Sequence, residues 1–150
     1  MRKFFGFLVS QLKWMWLTKV MDKLIFNKSA HVKLWMWLAD NPTCYKLDWP
    51  WWKFYSFFGI DIESHCFGCR YVNDKWWYDK NTERRTCSHC PFAVMEDNPK
   101  NRNNYFHTGA CLGGKFIYWK SLYYYDDMNG RREVAKEIAY LDVKDDIRCI

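Results

Sequence analysis

The sequence predicts an α+β fold, one domain in which a small hairpin is packed with several helices. Three observations carry this reading. Cys66-Phe67-Gly68-Cys69 and Cys87-Ser88-His89-Cys90 form two C-x2-C pairs with seventeen residues between them, a spacing used by structural zinc sites. Between the pairs lie two short runs, Tyr71-Val72 and Trp76-Trp77-Tyr78, on either side of Asn73-Asp74; aromatic and β-branched runs flanking a turn read as strands. Elsewhere apolar residues recur at helical spacing over 29–40, 116–126 and 131–141, the mark of helices with one buried face.

With 150 residues the chain is about one domain long, and 49% apolar with 27% charged residues is a globular composition. No stretch of eighteen or more uncharged apolar residues occurs, which excludes an ordinary membrane-spanning helix. The aromatic content, 21%, is the outlier. Charge is uneven. Arg2, Lys3, Lys13, Lys19, Lys23 and Lys28 stand against Asp22 alone, so +5 of the net +6 lies in the first 28 residues. The chain therefore divides into a basic, aromatic N-terminal helix over 1–28 and a nearly neutral zinc-binding domain over 29–150, with the metal hairpin at 64–92.

The N-terminal segment imitates a secretory signal at Arg2-Lys3 and the apolar run from Phe4 to Val9. Lys13 interrupts that run and no Ala-x-Ala cleavage site follows. Two readings stay open: a helix packed on the body through part of its surface, and a membrane-surface helix in which Phe4, Phe5, Phe7, Trp14 and Trp16 mix with lysines. Translation starting at Met15 or Met21 is a plain alternative.

Residues 29–40 read as a helix with Ser29 as N-cap and with His31, Leu34, Trp35 and Leu38 on one face; Asp40-Asn41-Pro42 ends it. His31 there is a core histidine and not a ligand. The run Asp48-Trp49-Pro50-Trp51-Trp52, followed by Phe54, Tyr55, Phe57 and Phe58, cannot be one helix because Pro50 sits inside it. It is expected to lay aromatic surface against the hairpin, with base stacking as the rival use. Residues 95–104 form a loop and Gly113-Gly114 a turn. The segment Phe116–Asp126 is helical, with Phe116, Trp119, Leu122 and Tyr123 on one face, and Asn129-Gly130 breaks it. Residues 131–141 are the clearest helix, with Val134, Ala135, Ile138 and Leu141 inward.

Seven cysteines occur. An odd number without a credible signal argues for a reducing compartment, here the cytoplasm, and against a disulfide framework. Four thiolates on two tight turns give the tetrahedron that Zn2+ prefers, so the expected ligands are Cys66, Cys69, Cys87 and Cys90, with Gly68 at φ > 0 in the first turn and Pro91 stiffening the second. A rubredoxin-like iron centre is the minor alternative. His65 or His89 could replace one cysteine, and Cys111 could be a fifth thiol near the metal. Four cysteines fill the coordination sphere of zinc, which makes the ion structural and not catalytic.

No catalytic triad, paired-carboxylate motif or phosphate loop occurs. A nuclease of the HNH type would need a histidine base near the cysteine pairs. Residues 70–86 hold none, and only Asn103, Asn104 and His107 downstream mimic one. Nucleic-acid binding would use Arg70, Lys75, Lys80, Arg84 and Arg85, which Asp74, Asp79 and Glu83 offset.

Several motifs together carry a resemblance: Leu34-Trp35-Met36-Trp37-Leu38-Ala39-Asp40-Asn41-Pro42, Asp48-Trp49-Pro50, Cys66-Phe67-Gly68-Cys69-Arg70-Tyr71, Cys87-Ser88-His89-Cys90-Pro91, Cys111-Leu112, Tyr118-Trp119 and Ala135-Lys136-Glu137-Ile138-Ala139. Over residues 31–141 this order resembles small four-cysteine zinc-binding accessory proteins of tailed bacteriophages. The resemblance implies an accessory protein acting in host cytoplasm, with no reaction attached. The expected function is a zinc-stabilised, non-enzymatic module that docks a host or phage protein, in host takeover or counter-defence. Its alternative is a zinc ribbon that binds nucleic acid, and a membrane-surface contact through residues 1–28 is a further expected partner.

Overall fold

The computed structural model describes residues 2–62, 65–78, 89–93 and 114–150. Among them the secondary structure is helical throughout: α1 (Arg2–Lys19), α2 (Lys28–Asp40), a 3-10 turn (Lys46–Asp48), α3 (Trp52–Phe57), α4 (Phe67–Tyr78), α5 (Lys115–Tyr124) and α6 (Met128–Ala139). Only two isolated bridges, Phe26 with Cys149 and Phe92 with Val143, have strand geometry among the described residues. The expected α+β class is thus corrected to an all-helical one.

The correction falls on the segment read as a hairpin. Residues Phe67–Tyr78 are one helix, and Asn73-Asp74 lie inside it where a turn was expected. Two features favour the helix. Phe67, Tyr71 and Asp74 recur at i, i+4 and i+7 and are all buried, which is helical spacing. Arg70 Nε donates to Asp74 Oδ1 at 2.8 Å across one turn, a pair only a helix brings together.

α2 begins at Asn27 and not at Ser29. The Asn27 side chain accepts from the Ala30 amide at 3.0 Å, and asparagine is among the best N-caps. At the other end Asn41 returns both its backbone N–H and its side-chain amide to the Trp37 carbonyl, each at 2.9 Å. The inner face of α2, Leu34, Trp35 and Leu38, is buried as expected. It packs chiefly on α6, which in turn packs on α5. In α6 Val134, Ala135 and Ile138 are buried. Asn129-Gly130 is not the break after the preceding helix, which ends at Tyr124; both residues lie in the first turn of α6. The backbone turns at Asp126, which takes a left-handed φ of 56°, and Asp127 caps α6 by accepting from Gly130 N at 2.8 Å. A Cβ on residue 130 would stand 2.4 Å from the Asp127 carboxylate, so the glycine makes room for the cap.

A second half of the core is aromatic. Trp14 of α1, Trp49, Tyr55 of α3 and Phe67 of α4 meet there; Phe67 lies 6.4 Å from Trp14 and 6.1 Å from Trp49, edge on, and 5.6 Å from Trp52, stacked. The Pro50 segment therefore packs inward, against the start of a helix. Phe26, His31 and Phe92 join the two halves. The C-terminal chain closes this junction: Phe26 N–H donates to Arg148 O at 2.8 Å, and Ile150 N–H to Phe26 O at 3.0 Å.

His31 is buried at this junction. Its Nε2–H donates to Ile138 O at 2.8 Å, while Nδ1 is buried without a hydrogen-bond partner. Burial holds its pKa down to about 4, against the carbonyl bond that favours the charged ring. The folded protein thus binds this proton less readily than the unfolded chain does. Its contribution to stability is full above the ordinary histidine value near 6.5 and is lost as pH falls from there to about 4, amounting to about 3 kcal/mol. Urea titrations at pH 7 and pH 4.5 measure it. His31→Gln is expected to be less stable at pH 7 and to show a much flatter profile over that window; an equally steep profile in the variant would remove His31 as the cause.

Candidate functional site

The first turn of α4 gathers thiols. Cys66 precedes the helix and is buried, and Cys69 lies one turn in. Cys90 comes from the segment 89–93, which crosses α4 at Gly68. A Cβ on residue 68 would stand 3.3 Å from Cys90 Sγ and 3.1 Å from the Phe92 ring. Gly68 is therefore needed for close approach. It does not supply the positive φ expected of it, which occurs among described glycines at Gly59 and Gly114.

Hydrogen bonds from Cys69 hold the Cys66 thiol well below the ordinary thiol range in spite of its burial, and Lys46 adds to this. The helix N-terminus favours the thiolate as well. These donors suit a thiophilic cation in chemical type. The expected zinc architecture is nevertheless corrected. There is no ribbon-like hairpin, since Phe67–Tyr78 is helix, and among the described residues no group of three or more Cys, His, Asp or Glu is placed to hold a metal ion. Cys87 and Cys111 lie outside the described residues. None of the described cysteines is in a disulfide; Cys44 is half-buried and Cys149 exposed.

His65 joins no group of three or more ligand-type side chains among the described residues. It has a left-handed φ of 50°, packs edge on against Trp52 at 5.0 Å and lines a small open cleft of about 230 Å³ with Tyr45, Lys46, Phe116 and Lys120. Burial first, and then Lys46, lowers its pKa.

Of the cations proposed for nucleic acid, Arg70 and Lys75 fall within the described residues, both on α4. Arg70 is spent internally: it pairs with Asp74 and donates to Asp61 O at 2.7 Å. Burial raises the Asp74 pKa and Arg70 opposes that rise. Lys80, Arg84 and Arg85 lie outside the described residues, as do Asn103, Asn104 and His107.

A surface the sequence reading missed is the outer side of α5. Ile117, Tyr118, Tyr124 and the following Tyr125 are all exposed, the last two to 73% and 80%. Ile117 with Tyr124, and Tyr118 with Tyr125, are each seven residues apart, and Trp119 and Leu122 between them are buried, so the helix carries apolar residues inside and outside. The only signal is that the helix is apolar nearly all round, and such a helix is normally assigned wholly to the core. Beneath this surface Arg131 of α6 is fully buried, its guanidinium 4.0 Å from the Trp119 ring centre, 4.9 Å from Tyr123 and 5.0 Å from Tyr45. The buried arginine thus ties α6 to the inner side of α5 through Trp119 and Tyr123.

No helix among the described residues is long and apolar enough to cross a membrane. Comparison with protein-family models, with curated proteins and with solved structures finds no match for this chain.

Proposed function

We propose that this chain is a non-enzymatic accessory protein of the phage type that docks a host or phage protein in the cytoplasm of the host cell, through the tyrosine surface of α5. The observation that carries the reading is the exposed array Ile117, Tyr118, Tyr124 and Tyr125. Tyrosines bring large contact area at low entropic cost and are over-represented at interface hot spots. A protein fits this surface better than a nucleic acid. The helix brings two cations, Lys115 and Lys120, and Lys115 is paired with Glu137 at 2.6 Å, whereas phosphate tracking needs a run of cations. The accessory character and the cytoplasmic setting rest on the resemblance of residues 31–141 and on the odd cysteine count. Zn2+ as a structural cofactor rests on the spacing of Cys66, Cys69, Cys87 and Cys90 alone, since the described residues gather no metal site.

The test pairs wild type with Tyr124→Ser/Tyr125→Ser. A partner is captured from infected cells, identified and purified, and its affinity for both proteins is measured. The double variant is expected to keep its melting temperature and to bind at least about tenfold more weakly, as for two hot-spot side chains. Equal affinity, or no partner that binds in purified form, sinks the reading. Metal analysis of the same preparation is expected to find zinc, and chelation to lower the melting temperature; a zinc-free chain with the same melt removes the cofactor.

A further inference from the structure

We infer that the outer face of α1 is a membrane-surface site, which seats the protein on an anionic lipid bilayer without crossing it. α1 is two-sided in an unusual way. Its inner side, Phe7, Gln11, Trp14, Met15 and Thr18, is buried in the body. Its outer side is also apolar: Phe5, Val9, Leu12 and Trp16 recur at i, i+4, i+7 and i+11 and are exposed, Phe5 to 67% and Trp16 to 52%. That spacing places the four in one ridge along the helix.

The charge around the ridge identifies what covers it. α1 contains Arg2, Lys3, Lys13 and Lys19 and no acidic residue. Lys23 follows, and Asp22 is the one acid in the first 28 residues. A second copy of this chain is disfavoured there, since two such helices would bring cation against cation. Anionic lipid headgroups complement both properties at once: the apolar ridge enters the headgroup–acyl boundary and Arg2, Lys3 and Lys13 extend to the phosphates. Trp16 has the amphipathic ring that favours this depth.

The ridge continues beyond α1. Lys19 Nζ donates to Phe58 O at 3.0 Å and Gly59 O at 3.4 Å, which fixes the end of α3 beside the end of α1. There Phe57 is exposed to 83% and Phe58 is also exposed, with ring centres 5.2 Å apart. A large apolar patch rimmed by cations has a wedge of two more aromatic rings at one end, as an interfacial surface would. The site is separate from the tyrosine face of α5, so it stands or falls independently of the proposed protein partner.

Vesicle co-sedimentation of the full chain tests this. The probes are vesicles of phosphatidylglycerol with phosphatidylcholine, and of phosphatidylcholine alone. Wild type is expected to bind the anionic vesicles at least about tenfold more tightly, and less so as salt screens the lysines. Phe5→Glu/Trp16→Glu and, separately, Lys13→Glu are expected to weaken binding at least about tenfold and about threefold, with melting unchanged because all three side chains are exposed. Tyr124→Ser/Tyr125→Ser is expected to bind vesicles like wild type. Absence of binding to anionic vesicles at low salt overturns the inference. So does equal binding by the Phe5/Trp16 variant, a wild-type dimer that this variant abolishes, or a soluble acidic protein that competes the vesicles away.

Discussion

Deleting residues 1–20 is expected to abolish cooperative unfolding of the remaining chain. α1 is the most basic part of the sequence and reads as an attachment, yet its inner side is core. Trp14 is buried edge on to Tyr55, 6.3 Å away, and its indole N–H donates to Ile25 O at 3.0 Å. Gln11, fully buried, is the hub of a polar cluster: Oε1 accepts from Asn27 Nδ2 at 2.6 Å and from Tyr55 Oη at 2.8 Å, and Nε2 donates to Ser29 Oγ at 2.9 Å. Asn27 is itself the cap of α2. Loss of the tryptophan alone is worth about 3–5 kcal/mol, and each buried donor left unsatisfied costs about 1–3 kcal/mol more. Together with Phe7 and Met15 this reaches the whole stability of an ordinary domain, about 5–15 kcal/mol. Near-ultraviolet circular dichroism and thermal melts of a chain starting at Met21 measure it. A soluble fragment that melts cooperatively within a few degrees of the full chain would show that α1 is an accessory after all.

Arg131→Ala is expected to destabilise the protein by about 4 kcal/mol, and Arg131→Met by clearly less. The guanidinium lies flat among Trp119, Tyr123 and Tyr45 and donates through Nη1 to Pro42 O. Its Nε and Nη2 have no hydrogen-bond partner, and burial lowers its pKa. A buried cation held mainly by ring faces gains roughly 0.5–2 kcal/mol from each good stack. Alanine removes those contacts and leaves a cavity. Methionine keeps much of the volume and abolishes the desolvated charge, so part of the loss is recovered. The ordering of the two variants in urea unfolding is the decisive readout. If methionine were as damaging as alanine, the charge itself and not the filling of the cage would hold α5 to α6.

Helices α2 and α6 were legible because each has a clean apolar stripe, and their neighbours in space obey it. Residues 67–78 were not, because Tyr71-Val72 and Trp76-Trp77-Tyr78 are short apolar runs whose length and composition suit either state. The cysteine spacing then weighted the reading toward a hairpin, and what decided against it was local, the Arg70–Asp74 pair and the burial of Phe67 and Tyr71. A glycine's type alone suggests a helix breaker, while the role of Gly130 is set by the Asp127 carboxylate beside it. Of the candidate ligands, the grouping of Cys66 with Cys69 follows from spacing. The approach of Cys90 to Gly68 depends on where the chain returns after residues 79–88, which no local pattern records. Gln11 was invisible as a core residue because a buried polar side chain is permitted only by partners distant in sequence.

The junction around Phe26 and His31 sets the order in which the chain can fold. His31 meets Ile138 at a separation of 107 residues, and Arg131 meets Pro42 at 89. Phe26 is bracketed by Arg148 and Ile150. During synthesis α1 and α2 leave the ribosome first, with Trp14, Phe26, Leu34 and Trp35 as yet uncovered. At about 5–20 residues per second, α6 follows on the order of 5–20 s later. Contacts this distant make a slow, late-closing folding step. For that interval the nascent protein exposes apolar side chains that the finished fold buries, so its yield in a cell is expected to fall where chaperone capacity is short.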